Sequence, residues 1–189
     1  MDSQSNPKGR IDIIHSMKVI FLDRDGTLIH EPADGKIDSI EKLQLVPFVI
    51  SSLKKLQENR YYFIIISNQP GLGTKAFAQE TFNPPQQLLM KTFYENGITF
   101  EGVYFCPHYK EENCPCRKPK TGLIDSFLKK NSIELKKSFV IGDRESDILL
   151  VKNIGCRSIF YSKLSDSCAD ASFSNWNSIV KYILTGITD

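Results

Sequence analysis

The sequence predicts an α/β protein with a Rossmann-like parallel sheet and helices on both faces. Short apolar runs alternate with amphipathic stretches from Lys18 onward, and this alternation is typical of parallel sheets. The 189 residues, 41% hydrophobic and 24% charged, have the composition of one globular domain. Residues 1–16 are polar and aperiodic, so we interpret them as a flexible leader or cloning remnant before a single domain over 17–189.

Five apolar runs predict strands, and amphipathic stretches between and after them predict helices. The strands are expected at residues 19–22, 61–66, 102–105, 139–141 and 158–160, and the helices at 48–57, 86–95, 121–130, 145–153 and 177–184. Asn83 is the expected N-cap of the second helix and Pro84 its first residue, while Gly155 ends the fourth helix. Neither long connection, 29–46 or 106–120, has the length of a domain, so no large cap domain is expected.

Composition excludes several classes of partner. A net charge of +2 gives no electrostatic reason to expect a nucleic-acid or membrane partner. The longest apolar run spans about six residues, against the ~20 that a membrane-spanning helix needs. No secretory signal opens the chain, so a cytoplasmic location is expected. We expect a monomer or a weak oligomer.

Two acids directly follow the first predicted strand. Asp23 and Asp25 are two residues apart, so both carboxylates can face one cavity, and Gly26 allows a sharp turn after them. One carboxylate can attack a phosphorus atom while the other moves protons. The alternative is an Asp-rich turn that ends a strand.

Polar residues also follow the later strands, at the edge where ligands of parallel sheets bind. Ser67 follows the second strand, the basic segment around Lys118 precedes a helix, and Asp143 and Asp147 follow the fourth strand. Acids of this kind suit Mg²⁺, and a lysine neutralises a phosphoryl group. Asp143 has a second interpretation as the N-cap of the following helix. Together, these residues predict a phosphate site.

A cysteine-rich loop precedes Lys118. Its candidate ligands are Cys106, His108, Cys114 and Cys116. Three thiols and one imidazole fit a closed tetrahedral Zn²⁺ site, which predicts a structural zinc-binding loop. The alternative is a reduced surface cluster. Because the loop leads into Arg117 and Lys118, the metal is expected to fix these side chains. Cys156 and Cys168 are interpreted as ordinary residues.

Several motifs together resemble the haloacid dehalogenase superfamily of phosphatases over residues 18–184. They are Asp23-Arg24-Asp25-Gly26-Thr27, Ser67-Asn68, Lys118, and Gly142-Asp143 with Asp147. Within the superfamily, Glu31-Pro32, the 68–74 segment and the cysteine loop are most similar to the histidinol-phosphate phosphatases. The heptose-bisphosphate phosphatases share the catalytic and cysteine motifs. Pro70 departs from the pattern of many relatives.

This resemblance implies catalytic roles. Asp23 would be the nucleophile that becomes aspartyl-phosphate, and Asp25 would protonate the leaving alcohol and then activate water. Ser67 and Lys118 would hold the phosphoryl oxygens. Mg²⁺ would be bound by Asp23, Asp143 and the backbone carbonyl of Asp25, with Asp147 supporting these ligands.

The resemblance also implies a Mg²⁺-dependent phosphatase that acts on L-histidinol phosphate, a small phosphorylated metabolite, in histidine biosynthesis. Glu31, Asn68 and Arg117 are the expected substrate-binding residues, with Glu31 a candidate for the substrate's ammonium group. The alternative interpretation of Glu31 is a solvated loop acid. Some members of the family are fused to a dehydratase, and the sequence does not separate a single-activity form from a cut-out domain.

Two other functions are considered. A heptose bisphosphate substrate calls for basic residues near the entrance to meet its second phosphate. The 29–40 loop instead carries Glu31, Asp34 and Asp38 against Lys36 alone, an acidic excess that favours a cationic substrate. A non-catalytic zinc-binding interaction module would leave the acids and the lysine after the strands unexplained.

Overall fold

A single six-stranded parallel sheet forms the centre of the protein. The computed structural model describes residues 16–162 and 168–187, so all of the predicted leader except Ser16 lies outside the described residues. The strands are β1 (Lys18–Leu22), β2 (Tyr61–Asn68), β3 (Gly102–Cys106), β4 (Phe139–Gly142), β5 (Arg157–Tyr161) and β6 (Ala171–Phe173). Their order is β3-β2-β1-β4-β5-β6, and every pair is parallel. The predicted parallel sheet is confirmed, while β6 was not expected.

Five α-helices connect or follow these strands. They are α1 (Val49–Glu58), α2 (Gln79–Glu95), α3 (Asp125–Lys130), α4 (Glu145–Ile154) and α5 (Trp176–Thr185). Gly155 ends α4 in the left-handed conformation, as expected. α3 begins four residues later than predicted, because residues 121–124 form a turn.

The predicted start of α2 is wrong. The helix begins at Gln79 with Ala78 as its N-cap, so Asn83 is not the cap and Pro84 lies inside the helix. An internal proline removes a backbone hydrogen bond and normally costs stability. Here the buried side chains Phe82 and Leu89 lie on either side of Pro84, and Phe82 packs edge-to-face on Phe105 of β3. This tertiary packing outweighs the local preference of proline.

Helices cover both faces of the sheet, as predicted. Ile20 and Leu22 of β1 belong to a core cluster with residues of α1, α2 and α5. Val19 and Phe21, whose side chains alternate with these, belong to a second cluster with residues of α3 and α4. The alternation along one fully buried strand therefore specifies two separate cores.

The carboxyl ends of the parallel strands lie along one edge of the sheet. The connections that leave this edge, residues 23–48 after β1 and 107–124 after β3, contain only short 3₁₀ turns, so the expected absence of a large cap domain agrees with the described structure. Within the described part of the chain, no helix combines the length and the apolar character needed to cross a bilayer. The edge is thus where candidate functional residues meet.

Candidate active site

Asp23 and Asp25 lie at the end of β1 and are both buried. The backbone N–H of Asp23 donates to the carbonyl oxygen of Ile141 at 2.9 Å, which extends the pairing of β1 with β4 beyond the strand. Gly26 follows with a φ of +81°, and a Cβ there would lie 2.0 Å from Oδ2 of Asp143. Glycine is therefore required both for the turn and for the close approach of Asp143.

Lys118 brings a positive charge to the first of these acids. Its buried Nζ lies 2.5 Å from Oδ1 of Asp23 and 2.6 Å from Oδ1 of Asp147, and it donates to the carbonyl oxygen of Ile66 at 2.7 Å. Burial alone would lower the pKa of Lys118, but the charges of Asp147 and Asp23 outweigh burial and raise it. Lys118 is thus an ammonium ion, fixed next to the candidate nucleophile.

Three carboxylates form a compact cluster at the ends of β1 and β4. One oxygen from each of Asp23, Asp143 and Asp147 lies within 4.8 Å of the others. Burial, and then the neighbouring charges of Asp23 and Asp147, raise the pKa of Asp143. Oδ1 of Asp143 is buried and has no hydrogen-bond partner among the described residues. Buried oxygens that repel one another in this way fit a hard divalent cation such as Mg²⁺.

Asp147 differs from the other two acids because both of its oxygens are engaged. Oδ1 pairs with Lys118, and Oδ2 accepts the backbone N–H of Arg144 at 3.1 Å. The alternative interpretation of Asp143 as a helix cap is wrong, because Arg144 is the N-cap of α4 and Asp147 closes that helix end. Asp23 and Asp143 remain the candidates for direct metal ligation, with Asp147 positioning Lys118.

The carboxylate of Asp25 is bound at both oxygens. Nη1 of Arg24 lies 2.7 Å from Oδ1, and Nε2 of Gln69 donates to Oδ2. Gln69 also donates to Oγ of Ser67 at 2.9 Å. Burial raises the pKa of Asp25 more than the charge of Arg24 lowers it, which favours a carboxyl group able to carry a proton. No role was predicted for Gln69 or Arg24 from the sequence, although both lie inside motifs that contain predicted site residues.

Asn68 lines the cavity and also binds Lys118 with its side chain. Its Oδ1 accepts the backbone N–H of Lys118 at 3.0 Å, and its Nδ2 donates to the carbonyl oxygen of the same residue at 3.4 Å. With both ends of the amide engaged, Asn68 positions the lysine. Its contact with substrate stays a prediction. Ser67 and Arg117 do line the cavity, as their predicted roles require.

The side chains of the cysteine loop converge on one point. Sγ of Cys116 lies 3.3 Å from Sγ of Cys106, 3.3 Å from Sγ of Cys114 and 3.1 Å from Nδ1 of His108. None of these cysteines forms a disulfide. Three sulfurs and one imidazole nitrogen at such separations fit the donor set of a tetrahedral Zn²⁺ site.

This loop is joined to the turn that follows β2. The backbone N–H of Gln69 donates to the carbonyl oxygen of Cys106, and that of Gly71 donates to Pro107, each at 2.7 Å. Nη1 of Arg117 donates to the carbonyl oxygen of His108 at 3.0 Å. The cysteine loop thus lies next to the residues that contact Asp25 and Lys118.

A cavity of about 630 Å³ opens above the acids and Lys118. Its outer lining, here called the mouth, consists of Glu31, Asp34, Lys36, Lys110, Arg117, Lys120 and Arg144. The acidic excess predicted for the 29–40 loop is neutralised, because Asp34 and Asp38 both pair with Lys42, at 2.6 and 2.8 Å. Glu31 pairs with Arg144. The charge of the 29–40 loop therefore does not disfavour a bisphosphate substrate, contrary to the expectation from sequence.

The pattern of the polynucleotide kinase 3 phosphatase family matches residues 18–182. The chain belongs to this family. Among curated proteins, the chain is 46% identical over 168 residues to the "Histidine biosynthesis bifunctional protein HisB" of Blochmanniella floridana, covering 88% of this chain and 45% of that protein. The protein of the same name from Campylobacter jejuni is 44% identical over 151 residues, covering 79% and 43%. The chain spans less than half the length of these relatives.

Solved structures share the fold. The D,D-heptose 1,7-bisphosphate phosphatase of B. bronchiseptica, complexed with magnesium and phosphate, superposes with a TM-score of 0.77 at 20% identity, over 90% of this chain and all of that one. A putative had-like phosphatase from Mesorhizobium loti gives a TM-score of 0.74 at 20% identity, over 92% and 89%. The expected resemblance to haloacid dehalogenase phosphatases and the expected fold class are confirmed.

Proposed function

We propose that this domain is a Mg²⁺-dependent phosphatase that hydrolyses L-histidinol phosphate through an aspartyl-phosphate on Asp23. The reaction type is inferred from the position of Lys118 below an open cavity, where its Nζ atom lies 2.5 Å from Asp23 and 2.6 Å from Asp147. An anionic nucleophile approaches an anionic phosphoryl group only where positive charge offsets their repulsion. The curated relatives support the substrate, because their name places them in histidine biosynthesis.

The residues of the site divide the reaction into two steps. A carboxylate oxygen of Asp23 attacks phosphorus, the ester P–O bond breaks, and Asp25 gives its proton to the departing alkoxide. In the second step, Asp25 takes a proton from a water molecule as this water attacks phosphorus of the aspartyl-phosphate, which releases phosphate and restores Asp23. Ser67 and Lys118 bind the phosphoryl oxygens in both steps.

A magnesium ion would be bound by Asp23, Asp143 and the backbone carbonyl of Asp25. When bound, it supplies positive charge that stabilises the phosphoryl oxygens and removes the repulsion among the buried acids. The geometry supports this assignment, because oxygens of Asp23, Asp143 and Asp147 lie within 4.8 Å of one another and Oδ1 of Asp143 is buried without a hydrogen-bond partner among the described residues.

The substrate assignment is tested by measuring phosphate release from four esters. They are histidinol phosphate, D,D-heptose 1,7-bisphosphate, a 3′-phosphorylated oligonucleotide and p-nitrophenyl phosphate. We expect the highest kcat/KM with histidinol phosphate in the presence of Mg²⁺. Faster turnover of the heptose compound or of the oligonucleotide would overturn the substrate. Hydrolysis of none of the four esters would overturn the enzyme assignment and leave the zinc-binding interaction module.

Glu31 is the proposed partner of the substrate's ammonium group. In the structure it pairs with Arg144 at the mouth, so the ammonium would replace that guanidinium. Glu31→Gln is expected to lower kcat/KM for histidinol phosphate roughly tenfold, mainly through KM, since a hydrogen bond to a charged group contributes about 1.5–3 kcal/mol. Hydrolysis of p-nitrophenyl phosphate, which has no amine, is expected to change little.

Asp38→Asn is the matched control for Glu31, because it makes the same change of charge in the same loop. Asp38 pairs with Lys42 and does not line the cavity. Its substitution is expected to leave both substrates unaffected. Equal losses on both substrates in Glu31→Gln would mean that Glu31 acts only by restraining Arg144, and the ammonium contact would be abandoned.

The cysteine loop is proposed to hold one structural Zn²⁺ per chain, through Cys106, His108, Cys114 and Cys116. Elemental analysis of folded, chelator-washed protein is expected to find about one zinc per chain. Cys114→Ser is expected to lose this zinc and to lower activity indirectly, because the loop carries Arg117 and Lys118. Cys168→Ser, outside the cluster, serves as the control. Zinc-free wild-type protein with full activity would contradict this prediction.

A further inference from the structure

Arg24 is a fully buried cation between the two acids of the first motif. Its Nη1 pairs with Oδ1 of Asp25 at 2.7 Å, and its Nε donates to Oε1 of Gln86 on α2 at 2.9 Å. The guanidinium carbon also lies 5.1 Å from the centre of the Phe82 ring. Two hydrogen bonds and a ring contact therefore fix the plane of the guanidinium.

Fold stability alone gives a poor account of this buried cation. Nη2 of Arg24 and Nε2 of Gln86 are buried and have no hydrogen-bond partner among the described residues. Burying a charge is costly, and replacing a buried ion pair by apolar residues often leaves stability unchanged or increases it. A buried cation with unpaired polar atoms around it is typical of a functional site, where the requirements of the reaction outweigh those of stability.

The contacts of Arg24 point to Asp25. Because Arg24 binds Oδ1 and Gln69 binds Oδ2, the carboxylate cannot rotate without breaking a hydrogen bond. Each oxygen keeps a second lone pair that can carry the transferred proton. After Asp25 gives that proton to the departing alkoxide, the guanidinium also stabilises the carboxylate that remains.

We propose that Arg24, supported by Gln86 of α2, is a positioning residue that orients Asp25 for proton transfer to the leaving group. This inference rests on the proposed role of Asp25 as general acid and base. Arg24 itself touches neither substrate nor metal in this assignment. Gln86 stands on α2 directly after the two prolines that this helix contains.

The test compares two esters whose leaving groups differ in their need for a proton. Phenyl phosphate and p-nitrophenyl phosphate differ only in the nitro group, and the more basic phenolate depends more on an acid. For Arg24→Met, kcat/KM, which reports the step in which the leaving group departs, is expected to fall about tenfold more on phenyl phosphate than on p-nitrophenyl phosphate, a fraction of the 10²–10⁴ that general acid–base groups contribute. Gln86→Leu is expected to act in the same direction with a smaller ratio.

Arg157→Met is the matched control. The Arg157 guanidinium lies 5.1 Å from the ring centres of Phe139 and Tyr182, away from the acids, so its loss removes a stacked arginine without touching Asp25. Its ratio of the two kcat/KM values is expected to equal that of the wild type.

Equal losses on both esters in Arg24→Met would overturn the positioning role. If Arg24→Met does not fold, Gln86→Leu provides the test. A ratio between phenyl phosphate and p-nitrophenyl phosphate that is unchanged from wild type in Gln86→Leu would overturn the proposal. Wild-type protein that hydrolyses neither ester would overturn the proposed enzyme as well. A wild type active on both esters, with equal losses in the variants, would overturn only the role of Arg24.

Discussion

Asp23→Asn is expected to abolish hydrolysis of every phosphate ester that the wild-type protein accepts. An amide does not form an acyl-phosphate, so the covalent route is closed while the shape of the side chain is kept. The fold is expected to survive, because Lys118 retains its 2.6 Å pair with Asp147 when the charge on residue 23 is removed.

Two measurements check this expectation. Turnover of p-nitrophenyl phosphate is compared among wild type, Asp23→Asn and Asp38→Asn, with the last as a control for loss of one carboxylate. Mass spectrometry of acid-quenched reactions is expected to find one added phosphoryl group on wild-type protein and none on Asp23→Asn. Activity of the variant within tenfold of wild type would exclude a covalent route through Asp23.

Lys118→Met is expected to have the second largest effect, on both activity and stability. Lys118 is the cation between Asp23 and Asp147, and all three side chains are almost fully buried. Breaking a buried ion pair by removing one partner costs about 3–5 kcal/mol, because the remaining charge is left uncompensated. Loss of one preorganised group that stabilises the phosphoryl oxygens is expected to lower kcat by roughly 10²–10³ as well.

The free energy of unfolding is measured by denaturant titration without added metal. Lys110→Met, an exposed lysine of the mouth, is the control and is expected to change stability by less than about 0.5 kcal/mol. If Lys118→Met is as stable as wild type, the ion pairs of Lys118 contribute nothing net, and its buried position serves the reaction alone.

The sequence predicted the sheet because its strands are continuous apolar runs, and the polar residues that end β1, β2 and β4 stand out against them. Once the sheet is parallel, these ends lie along one edge, and Asp23, Ser67 and Asp143 meet there without further information. β6 was missed because three residues carry too little pattern to distinguish a strand from a turn.

Other features depend on contacts that no local pattern records. Proline near the start of α2 predicted a helix boundary, but packing of Phe82 on the sheet decides where this helix begins. Gln86 reaches Arg24 across 62 positions of sequence, and Glu31 pairs with Arg144 across 113. The charge of the mouth was misjudged for the same reason, since counting acids within one loop ignores partners that lie outside it.

The hydrogen bonds between the cysteine loop and the turn after β2 have a consequence for how this protein loses activity on oxidation. Cys106, Cys114 and Cys116 belong to neither of the two core clusters, so thiol oxidation at these residues is expected to leave the cores folded. The same oxidation would free the carbonyl groups that accept hydrogen bonds from Gln69 and Gly71. The turn after β2, which carries Gln69 to Asp25, would then lose this restraint. In an oxidising solution, activity is then expected to be lost by oxidation of this loop before the rest of the protein unfolds.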